Sequence, residues 1–255
     1  MSGQFFDRDP NNWQDLEDLV LQAFIEMGYE SNRSFKLHTV RSTVEIDVHA
    51  IKTSTPIPTI VLCECKYWDQ PVSQSMIHAF RSVCSDSGAH FGLMISKKGF
   101  QAGAEASRSA TNIHLMNFTE FQNTYFDEWR KGAFMMLTKM RDQLLPILRA
   151  SALFQESGLD LIRKSDIEGV DVFNKYSVIF GGYSKFFIEH GTFPTTINDP
   201  RGDPRQITQV CVASHREYLE IVREAVVENT KRFGLPAIYF SDIGEMIVTV
   251  DSNQT

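Results

Sequence analysis

The run from Ile60 to Trp68, IVLCECKYW, constrains this chain most. It is dense in branched and aromatic strand formers and too short for a buried helix, so it predicts one interior strand. Glu and Lys are seldom buried without partners, yet Glu64 and Lys66 stand in the middle of it. Side chains alternate along a strand, which puts Glu64 and Lys66 on one face and Cys63 and Cys65 on the other. The charged face therefore calls for a partner on a neighbouring strand.

That strand lies just upstream. Between Ser34 and Ala50, Phe35, Leu37 and Val40, then Val44, Ile46 and Val48, alternate with polar residues, predicting two strands joined by a turn near Arg41 and Ser42. Regular alternation would set Thr43, Glu45 and Asp47 on one face. If the register brings Asp47 to Glu64, two carboxylates and the Lys66 ammonium converge. Paired carboxylates in a partly buried sheet need a cation between them, and an oxygen-ligand site with water positions to spare suits Mg²⁺, with Mn²⁺ able to substitute. Such an ion acidifies a bound water and stabilises charge developing on phosphorus, while Lys66 orients the water or shares that charge. Phosphodiester hydrolysis needs these parts.

Around this pair of strands the chain alternates helix and strand. Trp13, Leu16, Val20, Phe24 and Met27 recur at helical spacing from Asn12 to a capping Gly28. Val72–Ser85 and Gln101–Ala110 read as helices, Phe91–Ser96 and Ile113–Met116 as strands, so the first half predicts a mixed α/β sheet flanked by helices. An apolar stripe from Phe121 to Leu148 predicts a long helical connector, with Pro146 as a point of kinking or division. Beyond Gly158 a strand in YSVIFGGY, a loop TFPTTINDPRGDPRQ, a strand in ITQVCVAS, a helix from about His215 to Phe233 and a last strand in AIYF or MIVTV predict a second α+β domain. The expected division is 1–122, 123–157 and 158–255.

The order and spacing of these features resemble a known group. Trp13-x-x-Leu16-Glu17, Glu45-Ile46-Asp47, Cys65-Lys66-Tyr67 and the stretch Gly92 to Asn117 are similar to the Mrr-like restriction endonuclease branch of the PD-(D/E)xK nucleases, over roughly the first half of the chain. The resemblance implies a restriction-endonuclease-like core and a metal-dependent DNA endonuclease in bacterial defence. In it Asp47 and Glu64 bind the metal, the backbone carbonyl of Cys65 also faces it, and Lys66 assists the attacking water. Glu17 matches a helix glutamate that approaches the same site in such nucleases. Ile46 stands where the superfamily's name has proline. The C-terminal half resembles nothing recognised.

Composition sets further expectations. With 25 Lys and Arg against 32 Asp and Glu, the net charge is −7, which argues against holding nucleic acid by bulk attraction. Four cysteines are too few for a disulfide scaffold, and neither a secretory signal nor a membrane-length apolar run is present, so a cytoplasmic protein free of the membrane is expected. Cys63 and Cys65 lack the spacing of a zinc site and read as packed thiols. His49, His78 and Gln74 could approach the site, and Arg33, Lys36, Arg41, Lys97 and Lys98 are candidate phosphate contacts. Cutting both strands of double-stranded DNA with one site per chain calls for a homodimer or a partner protein. A noncatalytic nucleic-acid-binding or assembly module and an RNA-cleaving nuclease are the alternatives.

Overall fold

The computed structural model describes residues 3–54, 56–105, 111–152, 175, 192–203, 205–242 and 244–249. It divides the chain into two compact units, Met1–Trp129 and Arg130–Thr255.

The first unit is built on a five-stranded sheet in the order β1-β2-β3-β4-β5. Helix α1 (Trp13–Glu26) starts where the Asn12 side chain accepts from the Asp15 backbone N–H, and the chain leaves it through Gly28 at φ 83°. Strands β1 (Glu30–His38) and β2 (Thr43–Lys52) form an antiparallel hairpin, and β2 pairs antiparallel with β3 (Thr59–Lys66). β1 begins at Glu30, before the expected Ser34, because the polar Glu30-Ser31-Asn32 carries an edge strand whose residues are only partly covered. After α2 (Gln74–Ser87), β4 (Phe91–Ser96) returns parallel to β3, and β5 (Ile113–Met116) lies parallel to β4 after a short helix α3 (Ala102–Glu105). The remainder of the helix expected over Gln101–Ala110 lies outside the described residues. This is a mixed α/β sheet with helices, as a restriction-endonuclease-like core requires.

Each face of the sheet has its own apolar layer. Ile46, Leu62, Met94 and Leu115 pack with Ile77, Phe80 and Cys84 of α2. At Gly92 an added Cβ would come within 3 Å of Ile113, Cys84 and Phe80, so this strand accepts only glycine's bare backbone there without displacing its neighbours. Apart from that cluster, Leu16, Val20, Phe24, Phe5, Phe121 and Trp129 are fully buried; Phe5 stacks on Trp129 at 5.2 Å, and the Trp129 indole donates to Glu26 at 2.5 Å.

Helix α4 (Phe118–Ala152) runs as one element through Pro146. Its start is fixed by a reciprocal box: Asn117 Oδ1 accepts from the Glu120 N–H and Glu120 Oε2 from the Asn117 N–H, both at 2.8 Å. In the second unit β6 (Thr195–Asn198) pairs with β7 (Gln209–Val212), β8 (Ala237–Phe240) with β9 (Met246–Thr249), both antiparallel, and α5 (His215–Arg232) is capped by Ser214. β6 corrects the expectation of an unbroken loop: its four residues between Pro194 and Pro200 are too few for a visible alternation. AIYF and MIVT are both strands, paired with each other. The expected strand YSVIFGGY lies outside the described residues. No described helix is long and apolar enough to cross a membrane.

Candidate active site at a break in the sheet

The ladder between β2 and β3 ends at Val48↔Cys63. One step further the same register would set Asp47 opposite Glu64, but the strands part instead. Their parting leaves the Cys65 N–H without a ladder acceptor, and a buried N–H must find one. Asp47 Oδ2 takes it at 2.7 Å. Lys66 Nζ closes the group, 3.4 Å from Asp47 Oδ2 and 2.5 Å from Glu64 Oε2. The three side chains are each mostly buried.

The cause of the break is an irregularity in both strands of the β1–β2 hairpin. Ile46 shares the α2-side layer with Leu62, and His49 pairs with Leu62 and stacks on Phe35 at 4.1 Å. Ile46 and His49 thus share a face although they stand an odd three positions apart, so the alternation of β2 slips by one at Asp47. Opposite, the β1 register passes from Arg33↔Val48 to Phe35↔Ile46, with Ser34 between them at φ 51°. This corrects the expectation that Thr43, Glu45 and Asp47 lie together on one regular face. Glu45 is exposed on the rim of a cavity of about 210 Å³ that Glu64, Lys66, Met76, Phe80 and Met94 also line.

The electrostatics follow from this crowding. Burial, then the neighbouring Asp47 charge, raises the pKa of Glu64. Burial alone would lower that of Lys66, but the Glu64 and Asp47 charges outweigh it and the net shift is upward, so Lys66 is a cation at neutral pH. Glu17, on the buried side of α1, is raised by burial and by Asp47, against the pull of a hydrogen bond from Arg33 Nε at 2.8 Å. Arg33 also reaches Asp18 at 2.6 Å. Glu17 therefore lies within electrostatic reach of Asp47 and Lys66 but is gripped by a different cation.

Among the described residues no three His, Cys, Asp or Glu side chains are grouped to hold a metal ion. The donors at the break are two carboxylates and one backbone carbonyl. Lys66 C=O accepts from Lys97 N–H on the β4 side, so strand geometry turns the Cys65 C=O the other way, into the gap that Asp47 occupies. Hard oxygens in this small number fit Mg²⁺ or Mn²⁺, which keep several waters.

The other candidates are dispersed. Cys63 and Cys65 are buried free thiols whose pKa burial pushes well up. Burial lowers the pKa of His49, and His78 is exposed on α2. Gln74 lies exposed on the first turn of α2, its amide beside Gly103. Arg41 pairs with Asp86 at 3.2 Å and Lys97 with Asp69 at 2.9 Å, while Lys36 and Lys98 make no ion pair among the described residues. The bond from Arg33 to Glu17 was not visible in the sequence, where Arg33 reads as a phosphate contact; the Glu17-Asp18 pair on the helix was the one available signal.

Residues 9–125 match the Mrr catalytic-domain family, described as restriction endonuclease. This segment is similar to restriction endonuclease domains of the Mrr type. No curated protein matches the chain. Among solved structures, the chain is similar to AF1548, a protein of unknown function, at 16% identity and a TM-score of 0.38, with 68% of this chain and 92% of that one covered. It is also similar to MspJI restriction endonuclease in complex with a 27-mer oligonucleotide, at 13% identity and a TM-score of 0.30, with 43% of this chain and 27% of that one covered. Asp47, Glu64 and Lys66 all fall within this matched segment, at the break between β2 and β3.

Proposed function

We propose that the Mrr-type domain hydrolyses DNA phosphodiester bonds with a divalent cation held by Asp47, Glu64 and the Cys65 carbonyl. The observation that carries this reading is the meeting of Asp47, Glu64 and Lys66 where the ladder opens. Bound there, Mg²⁺ or Mn²⁺ supplies charge stabilisation at the scissile phosphate and acidifies a water.

Asp47 is held in place by the Cys65 N–H, so its second oxygen can turn to a ligand without searching rotamers. Glu64 shares the Lys66 counterion with Asp47 and would be the second carboxylate to hold the cation. Lys66, protonated at neutral pH, is a donor: it orients the attacking water and balances charge on the non-bridging phosphate oxygens. Glu17 adds negative potential that favours the cation, held in position by Arg33. Double-stranded DNA, cut by two chains or by one chain with a partner protein, is the substrate this reading favours, in a restriction-type defence role.

The test is incubation of the full chain with plasmid DNA in Mg²⁺, in Mn²⁺ and in EDTA, beside Lys66→Ala and Asp47→Ala. Cleavage should require the metal and fall by at least about 100-fold in either variant. Cleavage that survives in both would overturn the site. A parent inactive on DNA but active on labelled RNA would change the substrate, and inactivity on both would leave a binding module.

A further inference from the structure

Two of the three tryptophans are exposed, and both stand one side chain from the acids. Trp129 is fully buried, whereas Trp13 is 53% and Trp68 44% exposed. Trp68 follows β3, with Lys66 Nζ 5.7 Å from its ring centroid. Trp13 opens α1, with Arg33 Cζ, the group that holds Glu17, 5.9 Å from its ring. Leaving two indoles in water forgoes the largest apolar burial that any side chain offers. The fold had an alternative, since the adjacent Tyr67 turns in, its hydroxyl donating to the Pro10 carbonyl at 3.1 Å and its ring under Lys97.

We propose that Trp13 and Trp68 are stacking platforms for unpaired nucleobases, so that the site prefers DNA whose bases are splayed or bulged beside the scissile phosphate. The inference rests on the nuclease reading above and names its substrate class. Base faces in a continuous duplex are covered by their neighbours, and an indole reaches them only where a base has left the stack. Stacking tolerates any base and needs no cation. That matters here, because three of the five candidate phosphate contacts, Arg33, Arg41 and Lys97, are already paired with Glu17, Asp86 and Asp69. The cations over the two rings also brace them near the acids, where a base flanking the bound phosphate would lie.

The experiment measures anisotropy of a labelled, fully paired duplex against the same duplex with an unpaired segment, using the full chain in Ca²⁺. The parent should bind the unpaired DNA about tenfold more tightly. Trp68→Ala and Trp13→Ala should each remove most of that preference while changing duplex affinity by less than about twofold, and Trp68→Phe and Trp13→Phe should retain it. Equal affinity for the two DNAs, or equal losses on both in the Ala variants, overturns the proposal. Parallel incubation in Mg²⁺ separates the two readings: intact DNA with the binding preference kept would remove the nuclease reading alone, and cleavage without preference would remove the stacking platforms alone.

Discussion

Asp47 accepts from the Cys65 N–H, and in the proposed function it takes on a second, chemical task toward a cation. The two can be separated by substitution. Asn keeps an oxygen for the N–H but loses the charge, and Ala loses both. In EDTA, Asp47→Ala should be less stable than the parent by about 1–3 kcal/mol, the cost of an unsatisfied buried donor, and Asp47→Asn by clearly less. Saturating Mg²⁺ should raise the melting temperature of the parent, by the equivalent of about 2.7 kcal/mol at a hundredfold excess over Kd, and of neither variant. Thermal melts with and without Mg²⁺ decide it; equal metal stabilisation of all three proteins would place the ion elsewhere. The sequence made Asp47, Glu64 and Lys66 legible because charge inside an apolar strand demands partners. Arg33 was not legible, since its acceptors Glu17 and Asp18 come from a helix whose packing no local pattern specifies.

Elements with a strong period were readable, and those that break their period were not. α1, β3 and β4 follow their spacing closely. The slip at Asp47 was hidden, because alternation in β2 looks regular until tertiary pairing shows which residues share a face. Asn117 and Glu120 did hold a readable start signal for α4, three residues apart. The placement of α1 decides where Glu17 lies, and its first turn is tied down by Arg8, whose guanidinium donates to both Asp15 oxygens at 2.6 and 2.7 Å. These bonds, against the opposing effect of burial, hold the Asp15 carboxyl at about 2, below its ordinary 3.8. A depressed carboxylate stabilises the fold above its ordinary pKa and loses that contribution as pH falls through the folded value. Arg8 is half exposed, so solvent screening limits the pair to about 1 kcal/mol or less. Urea unfolding of Asp15→Asn should show that deficit at neutral pH and a shrinking one as pH approaches 2. A deficit that persisted in acid would assign it to something other than the ion pair.

At the scale of the whole molecule, a charge of −7, with three of the five candidate phosphate contacts already paired, predicts that phosphate attraction contributes little to the proposed DNA binding. With Lys36 and Lys98 as the cations left without ion pairs among the five candidates, log K should fall with log salt at a slope of only about −2 to −4, against about −10 for a strongly basic binder. Binding in EDTA should be weak. A steep slope, or tight metal-free binding in a salt-titrated shift assay, would show a basic surface elsewhere in the chain. The break in the sheet bears, finally, on how a silent copy of this domain would look. If a descendant lost the proposed cleavage, it would still need an acceptor at Asp47 to close its sheet, whereas among the described residues no backbone group donates to Glu64. On the proposed function, loss of Glu64 and Lys66 together would leave a sound fold without the chemistry, so their presence as a pair, more than that of Asp47, would be the mark that tells a working copy from an inherited shell.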